Sequence, residues 1–83
     1  MKNLLEFILI HLVDHPEDVS VEESQDERGV VFLLHVHPED MGKVIGRRGA
    51  VINSIRSIAK IRALKEGIRA YVNLVEPKNS EAE

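Results

Sequence analysis

The chain has 83 residues, 30% of them charged, no cysteine and a net charge of −3, which bounds it to one small domain burying about 60% of its unfolded surface. Without cysteine, disulfides, thiolate metal sites and cysteine nucleophiles are excluded, in keeping with a reducing cytoplasm. The apolar start carries one early cation, Lys2, and is broken by Glu6 and His11, so neither a signal peptide nor a membrane span is expected.

Leu4, Leu5, Ile8, Leu9 and Leu12 recur at helical spacing from Leu4 to Val13, and Pro16 stands beyond the end of that helix. Val19 to Glu22 alternates, a polar turn with Asp26 and Gly29 follows, and Val30 to Val36 is a continuous apolar run. Together these predict a hairpin whose second strand is buried on both faces. Pro38 suits the first turn of a short helix, with Glu39 and Asp40 as negative charge at its positive end. Beyond Gly49, a long helix carries the apolar stripe Val51, Ile52, Ile55, Ile58 and Ala59, with Asn53, Arg56 and Lys60 opposite. Gly67 breaks that pattern, and Ile68, Ala70, Val72 and Leu74 alternate as a last strand. The order helix-strand-strand-helix-helix-strand predicts an α+β domain over residues 1–76, a three-stranded sheet with all helices on one face. The polar tail, 77–83, is expected to be disordered.

Charge is distributed unevenly along this order. Residues 1–40 hold two cations and ten anions, whereas residues 41–75 hold eight cations and only Glu66 against them. The basic half centres on Gly46-Arg47-Arg48-Gly49, where two glycines flank two permanent cations at the start of a helix. Glycine lets the backbone bend and approach a bulky anion, and both the arginines and the helix's free N–H groups favour phosphate. The spacing fits neither a P-loop nor a dinucleotide fingerprint, so nucleotide hydrolysis is unsupported.

Ile45-Gly46-Arg47-Arg48-Gly49 followed by Ile52 resembles the isoleucine, GXXG loop, isoleucine signature of the K-homology (KH) domain. Pro38 to Val44 and Leu12 to Glu17 extend the likeness over roughly residues 1–76, to the small single-domain bacterial KH proteins of the KhpA family. The resemblance implies type II KH topology and a cytoplasmic, non-enzymatic RNA-binding protein acting in post-transcriptional regulation or as an RNA chaperone. It also implies a homodimer, or a heterodimer with a larger KhpB-like KH protein. Four nucleotides of single-stranded RNA would lie across Gly46, Arg47, Arg48 and Gly49. Val44, Ile45 and Ile52 would be groove walls, and Lys43, Arg56 and Lys60 an extended phosphate track. Lys65 and Arg69 flank the turn that corresponds to the variable loop. With only Phe7, Phe32 and Tyr71 in the chain, aromatic stacking is not expected to contribute.

Ile61 falls off the apolar stripe, near Ser54, Ser57 and Leu64, which points to a helix contact between subunits. Single-stranded DNA as the ligand, or a protein-interaction subunit with little nucleic-acid binding, are the competing functions. The pairs His11/His15 and His35/His37 could each offer two metal ligands, but no third is fixed by the sequence, and no metal, cofactor or catalytic group is assigned.

Overall fold

The computed structural model describes residues 1–76; the expected tail, 77–83, lies outside the described residues. Helix α1 (Lys2–Ile10) buries Leu5 and Leu9. It stops earlier than the apolar periodicity suggests, because Pro16 opens a 3₁₀ turn (Pro16–Asp18) and His15 before it is held out of the helical region, at φ −120° and ψ 69°.

Strands β1 (Ser20–Asp26) and β2 (Gly29–His35) pair antiparallel in unbroken register from Ser20 opposite His35 to Asp26 opposite Gly29. β1 thus runs well past the alternating Val19–Glu22 segment. Of its seven residues only Val21 is buried, so the polar half is held by backbone pairing to β2 rather than by its own side chains. The two-residue turn is closed by the Asp26 carboxylate, which accepts from the backbone N–H of Arg28 (2.8 Å) and Gly29 (3.1 Å).

β3 (Ala70–Leu74) adds parallel to β2, giving the order β1-β2-β3 with β3 at one edge. β2 corrects the expectation of burial on both faces. Val30, Phe32 and Leu34 are buried, while Val31, Leu33 and His35 on the other face are only half-covered, since the helices pack on one side of the sheet. Val72 of β3 joins the inner face, which places Tyr71 and Asn73 on the outer one.

A 3₁₀ turn (Pro38–Asp40) leads into the five-residue α2 (Met41–Ile45), and α3 (Ala50–Glu66) is the long helix. Its buried stripe is Ile52, Ile55, Ala59 and Ala63. Ile58, expected in that stripe, instead stands 43% exposed on the flank.

Asp40 stands in the first turn of the Pro38 helix as expected, and its carboxylate has a further role. Its side chain, 1% exposed, caps nothing; it accepts from the backbone N–H of Asp14 (3.1 Å) and His15 (3.0 Å) and from Nδ1 of His15 (3.2 Å). The carboxylate ties the segment after α1 to the start of α2. Burial pushes its pKa up, but those donors outweigh burial and hold it below the usual carboxylate range. The same bond, assisted by Glu39 and Glu17, raises the pKa of His15. The Pro38 turn is capped by His37, whose Nδ1 accepts from the N–H of Glu39 (3.0 Å).

Candidate nucleic-acid interface

The basic loop is built between the end of α2 and the start of α3. Gly46 closes α2, its N–H bonded to the Gly42 carbonyl (2.9 Å), in a conformation essentially restricted to glycine, φ 76° and ψ 175°. A Cβ added there would lie 2.4 Å from Cγ2 of Val51, so the loop is seated directly on the first turn of α3. Gly49 has φ 77°, and a Cβ there would make only ordinary contacts, with Nδ2 of Asn53 at 3.6 Å and Cγ2 of Ile52 at 3.9 Å. Arg48 between them is left-handed as well, at φ 57° and ψ 28°, a conformation that costs a non-glycine residue about 1–2 kcal/mol.

This bend holds Arg47 and Arg48 outward and exposed. Neither makes an ion pair among the described residues, whereas Arg28, Arg62 and Lys43 each have a carboxylate partner. No side chain caps the N-terminus of α3, so its positive end opens beside the two guanidinium groups. The arrangement is suited to an anion that arrives from outside.

Past the loop, Asn53, Arg56 and Lys60 are exposed along α3 beside the edge strand. Arg56 Nε donates to the Val72 carbonyl (2.9 Å), and its Nη1 reaches Oδ1 of Asn53 (3.4 Å). The guanidinium therefore bridges helix and strand across a shallow furrow that Lys60, Ala70, Tyr71 and Asn73 also line.

The structure separates the expected groove residues. Val44 (0% exposed) and Ile52 (7%) are core, packed with Leu5, Phe32 and Ile55, and offer a ligand no face; Ile45 stands open beside the loop at 38%. Lys43 is turned to Asp14, Nζ to Oδ2 at 2.9 Å, and that carboxylate raises its pKa. This exposed pair links α2 to the segment after α1. Tyr71 and Asn73 were not expected in the furrow. Their signal is the alternation that puts Ala70, Val72 and Leu74 inside, which leaves the other two on the outer surface of an edge strand.

Neither expected histidine pair is brought together. His11 lies past the end of α1 with Nδ1 on the Phe7 carbonyl (2.9 Å), and Nε2 of His35 faces Glu22 (3.3 Å). His15 instead stacks on His37, ring centroids 4.0 Å apart and 14° from parallel, with Glu39 beside them. One metal ion cannot lie in both planes of a stacked pair, and Nδ1 of His37 is already used as a cap.

Ile61 (68% exposed) borders an apolar depression with Leu4, Ile58, Arg62 and Lys65. Ser54 and Ser57 are exposed on α3, the Ser54 hydroxyl donating to the Ala50 carbonyl (2.9 Å). Leu64, three residues on from Ile61 in α3 and 74% exposed, also lines the furrow with Lys60 and Ile68.

Among the described residues no helix is long and apolar enough to cross a membrane. No solved structure is significantly similar to the chain. Curated relatives that carry the name RNA-binding protein KhpA match most of the chain, three of them as follows. That of Clostridium perfringens is 45% identical over 75 residues, covering 90% of this chain and all of the relative. That of Halalkalibacterium halodurans is 42% identical over 76 residues (92% and 100%). That of Chlamydia pneumoniae is 35% identical over 78 residues (94% and 100%). The family model described as KhpA/KhpB, KH domain matches residues 2–74. With a helix-strand-strand-helix-helix-strand order and a GXXG bend at residues 46–49, the chain belongs to the KhpA/KhpB KH-domain family.

Proposed function

We propose that the chain is a non-catalytic, cytoplasmic module that holds single-stranded RNA across Gly46, Arg47, Arg48 and Gly49, in post-transcriptional regulation or as an RNA chaperone. The observation that carries this reading is the pair of exposed guanidinium groups, without carboxylate partners among the described residues, at the uncapped start of α3. Phosphates of the strand meet Arg47, Arg48 and the loop backbone, and the bases lie along the furrow at Ile45, Asn53, Arg56 and Lys60. Val44 and Ile52 drop out of the contact set because they are buried. The acidic half of the chain, with ten anions in residues 1–40, limits indiscriminate adhesion to nucleic acid.

One groove of this size binds weakly, so pairing through Ile58 and Ile61 on α3, with a second copy or a KhpB-like relative, raises effective concentration and lengthens the stretch held. Because phosphate contacts dominate, affinity falls steeply with salt. The test is the double variant Arg47→Asp/Arg48→Asp. Crosslinking to RNA should be abolished while circular dichroism and solution mass stay as in the parent. Crosslinking that survives places the RNA elsewhere, and equal affinity for matched RNA and DNA oligomers would widen the ligand to either nucleic acid.

A further inference from the structure

The furrow does not stop at Lys60. It continues along the edge strand as a surface lined by Lys60, Leu64, Ile68, Arg69 and Tyr71, and then reaches the β1–β2 turn through Ile68 and Arg69. That turn is locked to the start of β3 by the bond from Val30 N–H to the Arg69 carbonyl (2.9 Å). From the turn, the Arg28 guanidinium lies 5.4 Å from the centroid of the Tyr71 ring, which is 36% exposed on the outer face of the sheet. Val31, directly opposite Tyr71 in the parallel ladder, is half-covered beside it.

We propose that Tyr71, with Arg28 and Arg69, is a base-stacking platform for nucleotides of the bound strand that extend past the four held at the GXXG loop. The proposal rests on the RNA reading above and gives that strand a direction across the molecule. Its occupant is argued from continuity and charge. The same furrow runs from the loop's helix to Tyr71, and Arg56, Lys60, Arg69 and Arg28 lie along it. Facing them at the far end are Asp26 and Glu27, of which Asp26 is already paired with Arg28 (3.6 Å) and with the turn's own N–H groups. A planar ring with a guanidinium against it takes any base by stacking, without edge-specific hydrogen bonds. On this proposal aromatic stacking, not expected from the sequence, enters at a single residue.

Tyr71 is the chain's only tyrosine and there is no tryptophan, so intrinsic tyrosine fluorescence reports on this site alone. The experiment titrates the whole protein with an end-labelled tetranucleotide and with a strand twice as long, reading anisotropy for binding and tyrosine emission for stacking. The longer strand should quench Tyr71. Tyr71→Leu, which keeps apolar bulk on the strand, should weaken the longer strand about tenfold and the tetranucleotide far less. Tyr71→Phe should bind like the parent, and Arg28→Gln, which takes the guanidinium from the ring, should weaken the longer strand and leave the tetranucleotide unchanged. A tightly bound longer strand that leaves Tyr71 emission unaltered, or Tyr71→Leu affinities equal to the parent's for both strands, overturns the platform while leaving the loop reading intact. Tetranucleotide binding that is unaffected by Arg47→Asp/Arg48→Asp overturns the loop reading instead.

Discussion

Replacing each glycine of the loop by alanine separates two physical roles that the motif alone treats as one. At Gly46 the new methyl meets Cγ2 of Val51 at 2.4 Å and the Val51 nitrogen at 2.8 Å, in a backbone region that only glycine occupies comfortably. Strain of about 1–3 kcal/mol from the dihedrals adds to overpacking of about 1–3 kcal/mol, and the sum rivals the whole stability of a small domain, often about 5–10 kcal/mol. At Gly49 the cost is the left-handed φ of 77° alone, since its Cβ would meet Asn53 and Ile52 at ordinary contact distances without overlap, and a loss of about 1–2 kcal/mol is expected. In urea unfolding followed by helical circular dichroism, Gly46→Ala should lower the midpoint far more than Gly49→Ala. Arg48→Gly, which relieves the φ of 57°, should fall near the parent because relaxed strain is offset by the greater entropy of the unfolded chain. Equal losses at Gly46 and Gly49 would refute the packing of the loop against Val51.

Ile52→Ala should cost about 2–5 kcal/mol as a core truncation, whereas Ile45→Ala, at an exposed position, should leave stability nearly unchanged; thermal melts of both variants check the assignment of one to the core and the other to the surface. Ile61→Asp should shift solution mass toward the monomer, and an unchanged mass removes α3 from the subunit contact. The pair of Asp40 and His15 predicts a two-sided pH dependence. Asp40, with its folded pKa depressed, stabilises above its unfolded value and loses that contribution as pH falls through the folded one. His15, raised from 6.5, stabilises fully below that value and loses its contribution as pH rises through the folded one. Denaturation midpoints across pH should show both limbs in the parent and flatten on both sides in Asp40→Asn; a parent-like profile in that variant would separate the buried carboxylate from the pH dependence.

Helix order, sheet membership and the bend were legible because they follow from local rules. Periodicity near 3.6 and 2 places Leu5, Leu9, Ile55 and Val72, and paired glycines around charge mark a turn. What escaped was decided by tertiary neighbours. β1 reaches Asp26 because β2 offers it a ladder, and Val31 and Leu33 are half-open because no helix covers that face, facts that no window of sequence contains. Asp40 reads as helix-dipole charge, yet its partners are the N–H groups of Asp14 and His15, 26 and 25 residues away. Val44 and Ile52 flank the loop in sequence but point inward, and Lys43 pairs with Asp14. Tyr71 and Asn73 matter only because β3 is an edge strand, which follows from the sheet order and not from the strand's own residues.

Backbone amide spectra recorded while an oligoribonucleotide is added distinguish the loop from every other surface. The largest changes should fall on Gly46, Arg47, Arg48 and Gly49 and on the first turns of α3, fading toward α1 and β1. Changes concentrated on α1 or the acidic β1, with Gly46 to Gly49 unmoved, would contradict binding at the loop.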